Sequence, residues 1–146
     1  MSGAVHARRQ AGPSAPPIRV LFVCPHGAAK SVMGATYFQK LAADRGLHVQ
    51  VDARGTEPDA AVSPAVARLL REQGYPVLVE KPRAVTAADT AAADIVVSMG
   101  CKLDGLPAPR RTLRNWDVPG PGEDLAGSSE AIRRHVRDLV DELLRH

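Results

Sequence analysis

Val20-Leu21-Phe22-Val23-Cys24-Pro25-His26-Gly27-Ala28-Ala29-Lys30-Ser31 is the stretch on which the reading of this chain turns. A short apolar run rich in β-branched residues predicts a buried strand over 18–23. A loop of small residues follows, and Ser31 opens a helical pattern. Such a loop at a helix start aims several main-chain N–H groups at one point, where the helix dipole adds positive potential. It is a nest for an oxyanion, and a thiol at its mouth, Cys24, is activated as a nucleophile. The alternatives are a structural thiol at a strand end and a nucleotide-binding phosphate loop. The second needs glycines where Cys24 and Ala29 stand.

Around this stretch the pattern alternates. A helix is expected over 31–45, with Gly34 inside it marking close approach to a strand, and a strand over 48–53. Ser63-Pro64 starts a second helix, closed by Gly74. Residues 75–79 read as a short strand, Thr86-Ala87-Ala88-Asp89 as a capping box, and 94–98 as a buried strand. Residues 100–127 are rich in Pro and Gly and read as loop. A final helix starts at Gly127-Ser128-Ser129 with the stripe Ile132, Val136, Leu139, Val140, Leu143. Strands alternating with helices imply an α/β three-layer sandwich: a four-stranded parallel sheet with helices on both faces. Ligands of such sheets bind at the C-terminal ends of strands, which is where Cys24 falls.

The chain of 146 residues is long enough for one domain, expected over 18–146 behind a disordered tail over 1–17. With 45% hydrophobic but only 3% aromatic residues, the core must be built from Ala, Val and Leu. A net charge of +3 suits an anionic substrate, and Arg110, Arg111 and Arg114 are candidates to attract it. Nothing in the pattern calls for nucleic acid, a membrane or a cofactor. The histidines have no metal-ligand spacing with the cysteines. Two cysteines and the lack of a signal-peptide pattern imply a reducing, cytoplasmic setting.

Cys24, five residues, Lys30 and Ser31 resemble the phosphate loop of the low-molecular-weight protein tyrosine phosphatase superfamily, which is Cys, five residues, Arg, then Ser or Thr. Thioredoxin- and mycothiol-linked arsenate reductases share that fold and loop. The resemblance implies that Cys24 is the nucleophile, and that His26, Gly27, Ala28, Ala29 and Lys30 hold the oxyanion. Ser31 would steady the sulfur. Lys30 stands where the family has Arg, and Gly27 where it usually has Asn. Ser98-Met99-Gly100-Cys101 resembles the Thr-Met-Gly-Cys of arsenate reductases, whose cysteine attacks the cysteinyl–arsenic adduct. A further family cysteine, four residues on, is Gly105 here. Asn115-Trp116-Asp117-Val118-Pro119 resembles the late loop that carries the general acid, which makes Asp117 the candidate, with Glu123 and Asp124 as alternatives.

The implied function is a cysteine-dependent phosphatase acting on phosphate monoesters through a cysteinyl phosphate. An arsenate reductase using Cys24 with Cys101 or a small thiol is the alternative. A phosphate-binding protein without turnover is a third, because Lys cannot copy the planar fork of Arg. The partners follow: a phosphorylated substrate or arsenate, and for the latter a thiol reductant.

Overall fold

Strand β1 (Ile18–Cys24) runs through the middle of the molecule, and its side chains divide by the two-residue period of a strand. Ile18, Val20, Phe22 and Cys24 join the main core, whereas Leu21 and Val23 join a smaller cluster with Ala93 and Val96 on the other face. The computed structural model describes residues 15–145. The expected tail lies outside the described residues, except for 15–17, where the Ala15 carbonyl accepts a 2.8 Å hydrogen bond from His48 Nδ1.

After β1 come α1 (Lys30–Asp44), β2 (Val49–Gly55), α2 (Pro64–Glu72), α3 (Ala87–Ala92), β3 (Ile95–Ser98), β4 (Thr112–Asn115) and α4 (Leu125–Leu144). The sheet order is β2-β1-β3-β4, with every pairing parallel. The four-stranded parallel sheet with helices on both faces is therefore present, but the layers are unequal. Residues of α1, α2 and α4 supply the main core, while the second face carries the short α3 and the partly buried Val85, Cys101 and Leu103. Among the described residues no helix is long and apolar enough to cross a membrane.

The local signals act as the sequence predicts at two helix starts. Ser63 Oγ accepts from the Val66 N–H ahead of Pro64, and Thr86 and Asp89 exchange the two hydrogen bonds of a capping box. The fourth strand differs. Residues 75–79 form no strand, because Pro76 lacks a donor and no ladder partner faces them; Tyr75, Val77 and Val79 instead pack on the main core. The fourth strand is Thr112–Asn115, within the stretch expected to be loop. It is a four-residue edge strand with Leu113 largely exposed, so it has no buried apolar run to reveal it. The last helix begins at Leu125, capped by Asp124, whose side chain accepts from the Gly127 N–H.

Gly34 lies where α1 crosses β1. A Cβ there would come within 2.7 Å of Phe22 Cδ1, and Phe22 is fully buried between Phe38 and Trp116. Gly34→Val is expected to cost about 1–3 kcal/mol of stability by overpacking. Urea unfolding should show a lower midpoint at unchanged slope.

Candidate active site

The four parallel strands end at one edge of the sheet, and the chain order changes direction between β1 and β3. Cys24 closes β1 at this switch point. The loop after it is held from outside by a strap, residues 56–63. The carbonyls of Cys24, Pro25, His26 and Ala28 accept from the N–H groups of Thr56, Glu57, Asp59 and Ser63 at 3.3, 2.7, 3.0 and 2.9 Å. A trans peptide sets its N–H opposite its carbonyl, and the described residues contain no cis bond. The N–H groups of His26, Gly27 and Ala29 must therefore point away from the strap, into the loop. Among the described residues nothing accepts from them.

Two glycines make this curvature feasible. Gly27 has φ +61, in the left-handed region, and its main chain lies against Gly55 at the end of β2. A Cβ on Gly55 would sit 2.6 Å from the Gly27 nitrogen. Cys24 is buried, with Sγ 3.1 Å from Ser31 Oγ and accepting the Ser31 N–H at 3.4 Å. The sulfur thus lies at the first turn of α1.

The remaining candidates divide. His26 turns its ring outward, 3.1 Å from Asp59 and largely exposed, so only its main chain faces the loop. Cys101 follows β3 and packs on the second face of the sheet, so the two thiols lie on either side of the end of β1. Ser98 Oγ lies 3.3 Å from Cys101 Sγ and donates to the Cys101 carbonyl, and the thiol reaches the Val23 carbonyl at 3.7 Å. Burial pushes the Cys101 thiol up, against the hydrogen bond with Ser98; charge on Cys24 pushes it up further, and Lys30 pulls it down. Lys30 reaches past its own loop: a Cβ on Gly100 would stand 3.0 Å from its Nζ.

Asp117 follows β4 and is exposed in a cleft of about 480 Å³ with Ser98, Gly100, Cys101, Lys102 and Asn115. Trp116 beside it is anchored by Phe22 and stacked on His135, 4.8 Å between centroids. Asp124 serves as the α4 cap, and Glu123 sits in the turn before it, its N–H bonded to Gly120. The expected arginine cluster is elsewhere. Arg110 and Arg111 pair with Ala93 and Asp94 ahead of β3 and β4, at the opposite edge of the sheet, and Arg114 is bound by Glu142. Among the described residues no cluster of His, Cys, Asp and Glu could hold a metal ion. Sequence reasoning missed Gly100 as a neighbour of Lys30, and nothing in the local pattern marks it.

A family model described as low molecular weight phosphotyrosine protein phosphatase matches residues 19–146. The chain belongs to this family. A relative from Halobacterium salinarum named "Putative arsenate reductase" is 30% identical over 127 residues, 83% of this chain and 89% of the relative. Among solved structures, the thioredoxin-dependent arsenate reductase of Corynebacterium glutamicum is 26% identical with a TM-score of 0.74, over 97% of this chain and 68% of that one. An arsenate reductase from Archaeoglobus fulgidus is 28% identical with a TM-score of 0.60, over 87% and 99%. The tyrosine phosphatase Wzb of Escherichia coli K30, at 13% identity and TM-score 0.70 over 88% and 99%, shares the fold.

The contact between Gly27 and Gly55 is testable. Both groups are main chain, so a methyl at Gly55 forces the loop to shift. In a Cys101→Ser background, arsenate or phosphate should protect Cys24 from iodoacetamide. Gly55→Ala should weaken that protection about tenfold, the scale of one or two charged hydrogen bonds. Gly120→Ala, where a Cβ meets nothing within 4 Å, should leave it unchanged.

Proposed function

We propose that the protein is a thiol-dependent arsenate reductase built on the phosphatase fold. The observation that carries this reading is Cys101, a second thiol at the neighbouring strand end whose sulfur reaches the carbonyl of Val23, the residue before Cys24, at 3.7 Å. It is supported by the arsenate reductases among the relatives at 26–30% identity.

Arsenate enters the loop after Cys24, with its oxygens on the N–H groups of His26, Gly27 and Ala29 and on those of Ala28 and Lys30 at the helix start. The Cys24 thiolate attacks arsenic, one arsenate oxygen leaves as water, and an S–As bond forms. Ser31 holds the sulfur in line. The Cys101 thiolate then attacks Cys24 Sγ. The S–As bond breaks with its electron pair going to arsenic, which leaves as arsenite. Arsenic gains two electrons, and the two thiols lose two in becoming a disulfide. Cys101 must move across the end of β1 to reach Cys24, and Gly100, with φ +76, directly precedes it. With glycine at 105, the disulfide is reopened by an external thiol, a thioredoxin-type protein or a small thiol, that reaches Cys101 through its cleft.

One observation favours a second reading. Asp117 borders the same cleft and can protonate the leaving oxygen of a phosphate monoester, then act as base for water on the cysteinyl phosphate. The two readings separate by assay. Thioredoxin-coupled or small-thiol-coupled arsenate reduction and ester hydrolysis should be measured side by side. Cys24→Ser should abolish both. Cys101→Ser, shown folded by circular dichroism, should abolish arsenate reduction and spare any hydrolysis. Asp117→Asn should slow esters with poor leaving groups by about 10²–10⁴-fold and leave arsenate reduction nearly intact. Arsenate reduction that survives Cys101→Ser with no added small thiol would defeat the reading. Because burial holds the Cys101 thiol protonated, single-turnover disulfide formation should keep accelerating as pH rises through and beyond the ordinary thiol range.

A further inference from the structure

Lys30 occupies the position where the resembled phosphate loop has an arginine, and its ammonium lies beside the turn after β3. It leaves the first turn of α1 and passes the end of β1, and its ammonium comes to rest against Gly100. Gly100 directly precedes Cys101 and adopts φ +76, so it presents no side chain to the ammonium; a Cβ there would meet Nζ at 3.0 Å. Among the described residues Lys30 has no ion-pair partner. A lysine with no carboxylate partner, half-buried beside the turn that carries a second thiol, is placed to receive charge from that thiol. We propose that Lys30 is a positioning residue for Cys101: its ammonium is the counter-charge of the thiolate that closes the disulfide.

The charged and titratable groups around Cys101 come from several elements. Cys24 approaches from β1, Lys30 from α1, and Asp117 from the loop after β4, with Lys102 next in sequence. Cys24 works against a thiolate at Cys101, since two negative sulfurs repel. Asp117 lines the same cleft. Lys30 opposes Cys24, as the smallest of the influences on the Cys101 thiol, whereas Lys102 is exposed. The order of events follows. Once Cys24 carries the adduct its charge is gone, and Lys30 then acts on Cys101 unopposed by the first sulfur. The second thiol is thereby activated after the first has reacted. A compact ammonium suits this task better than a planar fork built to hold two oxygens of one anion.

This inference takes its purpose from the arsenate reading, but its test reads Cys101 alone. In Cys24→Ser protein Cys101 is the single remaining thiol. Its iodoacetamide labelling is followed against pH with Lys30, Lys30→Met and Lys30→Arg, and with Lys102→Met as the charge control. At about pH 8, Lys30→Met should label about tenfold more slowly, with its pH profile displaced upward. Lys30→Arg, which keeps the charge, should stay within about threefold of the parent. Lys102→Met should shift the profile less than Lys30→Met. A profile unmoved by Lys30→Met, or moved equally by Lys102→Met, overturns the pairing. If wild-type protein shows no arsenate reduction while Lys30→Met still slows labelling, the pairing stands and the assigned reaction falls.

Discussion

The loop after Cys24 is shaped by hydrogen bonds that it accepts on its outer side. Four of its carbonyls are taken by the strap at residues 56–63, and each bond turns a peptide plane. Planarity of the trans peptide then fixes where the opposite N–H must aim. The strap follows β2 directly, and β2 is aligned with β1 residue by residue from Ile18–Val49 to Cys24–Gly55. The register of one strand pair therefore sets the curvature of the loop, and with it the place where an anion would sit. The backbone contact between Gly27 and Gly55 makes that register unforgiving, because neither residue has room for a Cβ.

How much of this was legible in the sequence depends on whether a feature is local. Strand β1 and helix α1 announce themselves by an apolar run and a helical stripe, and their junction by small residues around Cys24. Ser63-Pro64 and Thr86-Asp89 are capping signals complete within a few residues. Strand β4 is different. Thr112-Leu113-Arg114-Asn115 has no inward run, and it is a strand only because β3 offers an unfilled edge. Residues 75–79 show the reverse error, apolar content with no partner to pair. The helix start at Asp124 was readable in retrospect as Asp-x-x-Gly, since a Cβ on Gly127 would fall 2.1 Å from the capping carboxylate.

The site shows the same division. Cys24 and Ser31 are joined through one short loop, so their spacing carries their geometry. The outward turn of His26 depends on Asp59, and the reach of Lys30 depends on Gly100, each a partner far away in the chain. Of the arginines that composition made attractive, Arg110 and Arg111 are sent to the far edge of the sheet by the parallel topology, and Arg114 is held by Glu142, neither of which composition contains.

If the loop after Cys24 holds the anion as proposed, a pocket made of main-chain amides has a consequence for selectivity. Amide N–H groups offer a tetrahedral guest donors of nearly fixed strength and place, with side chains no larger than methyl at Gly27, Ala28 and Ala29 to measure its size. Arsenate and phosphate carry the same charge pattern, so such a pocket admits both on similar terms. Discrimination then falls to the step after entry. Arsenic bound to sulfur can accept an electron pair and depart reduced, while phosphorus in the same position awaits water. On the proposed reading, the loop would collect tetrahedral anions without regard to the central atom, and the chemistry of that atom would sort them afterwards, in time instead of in space.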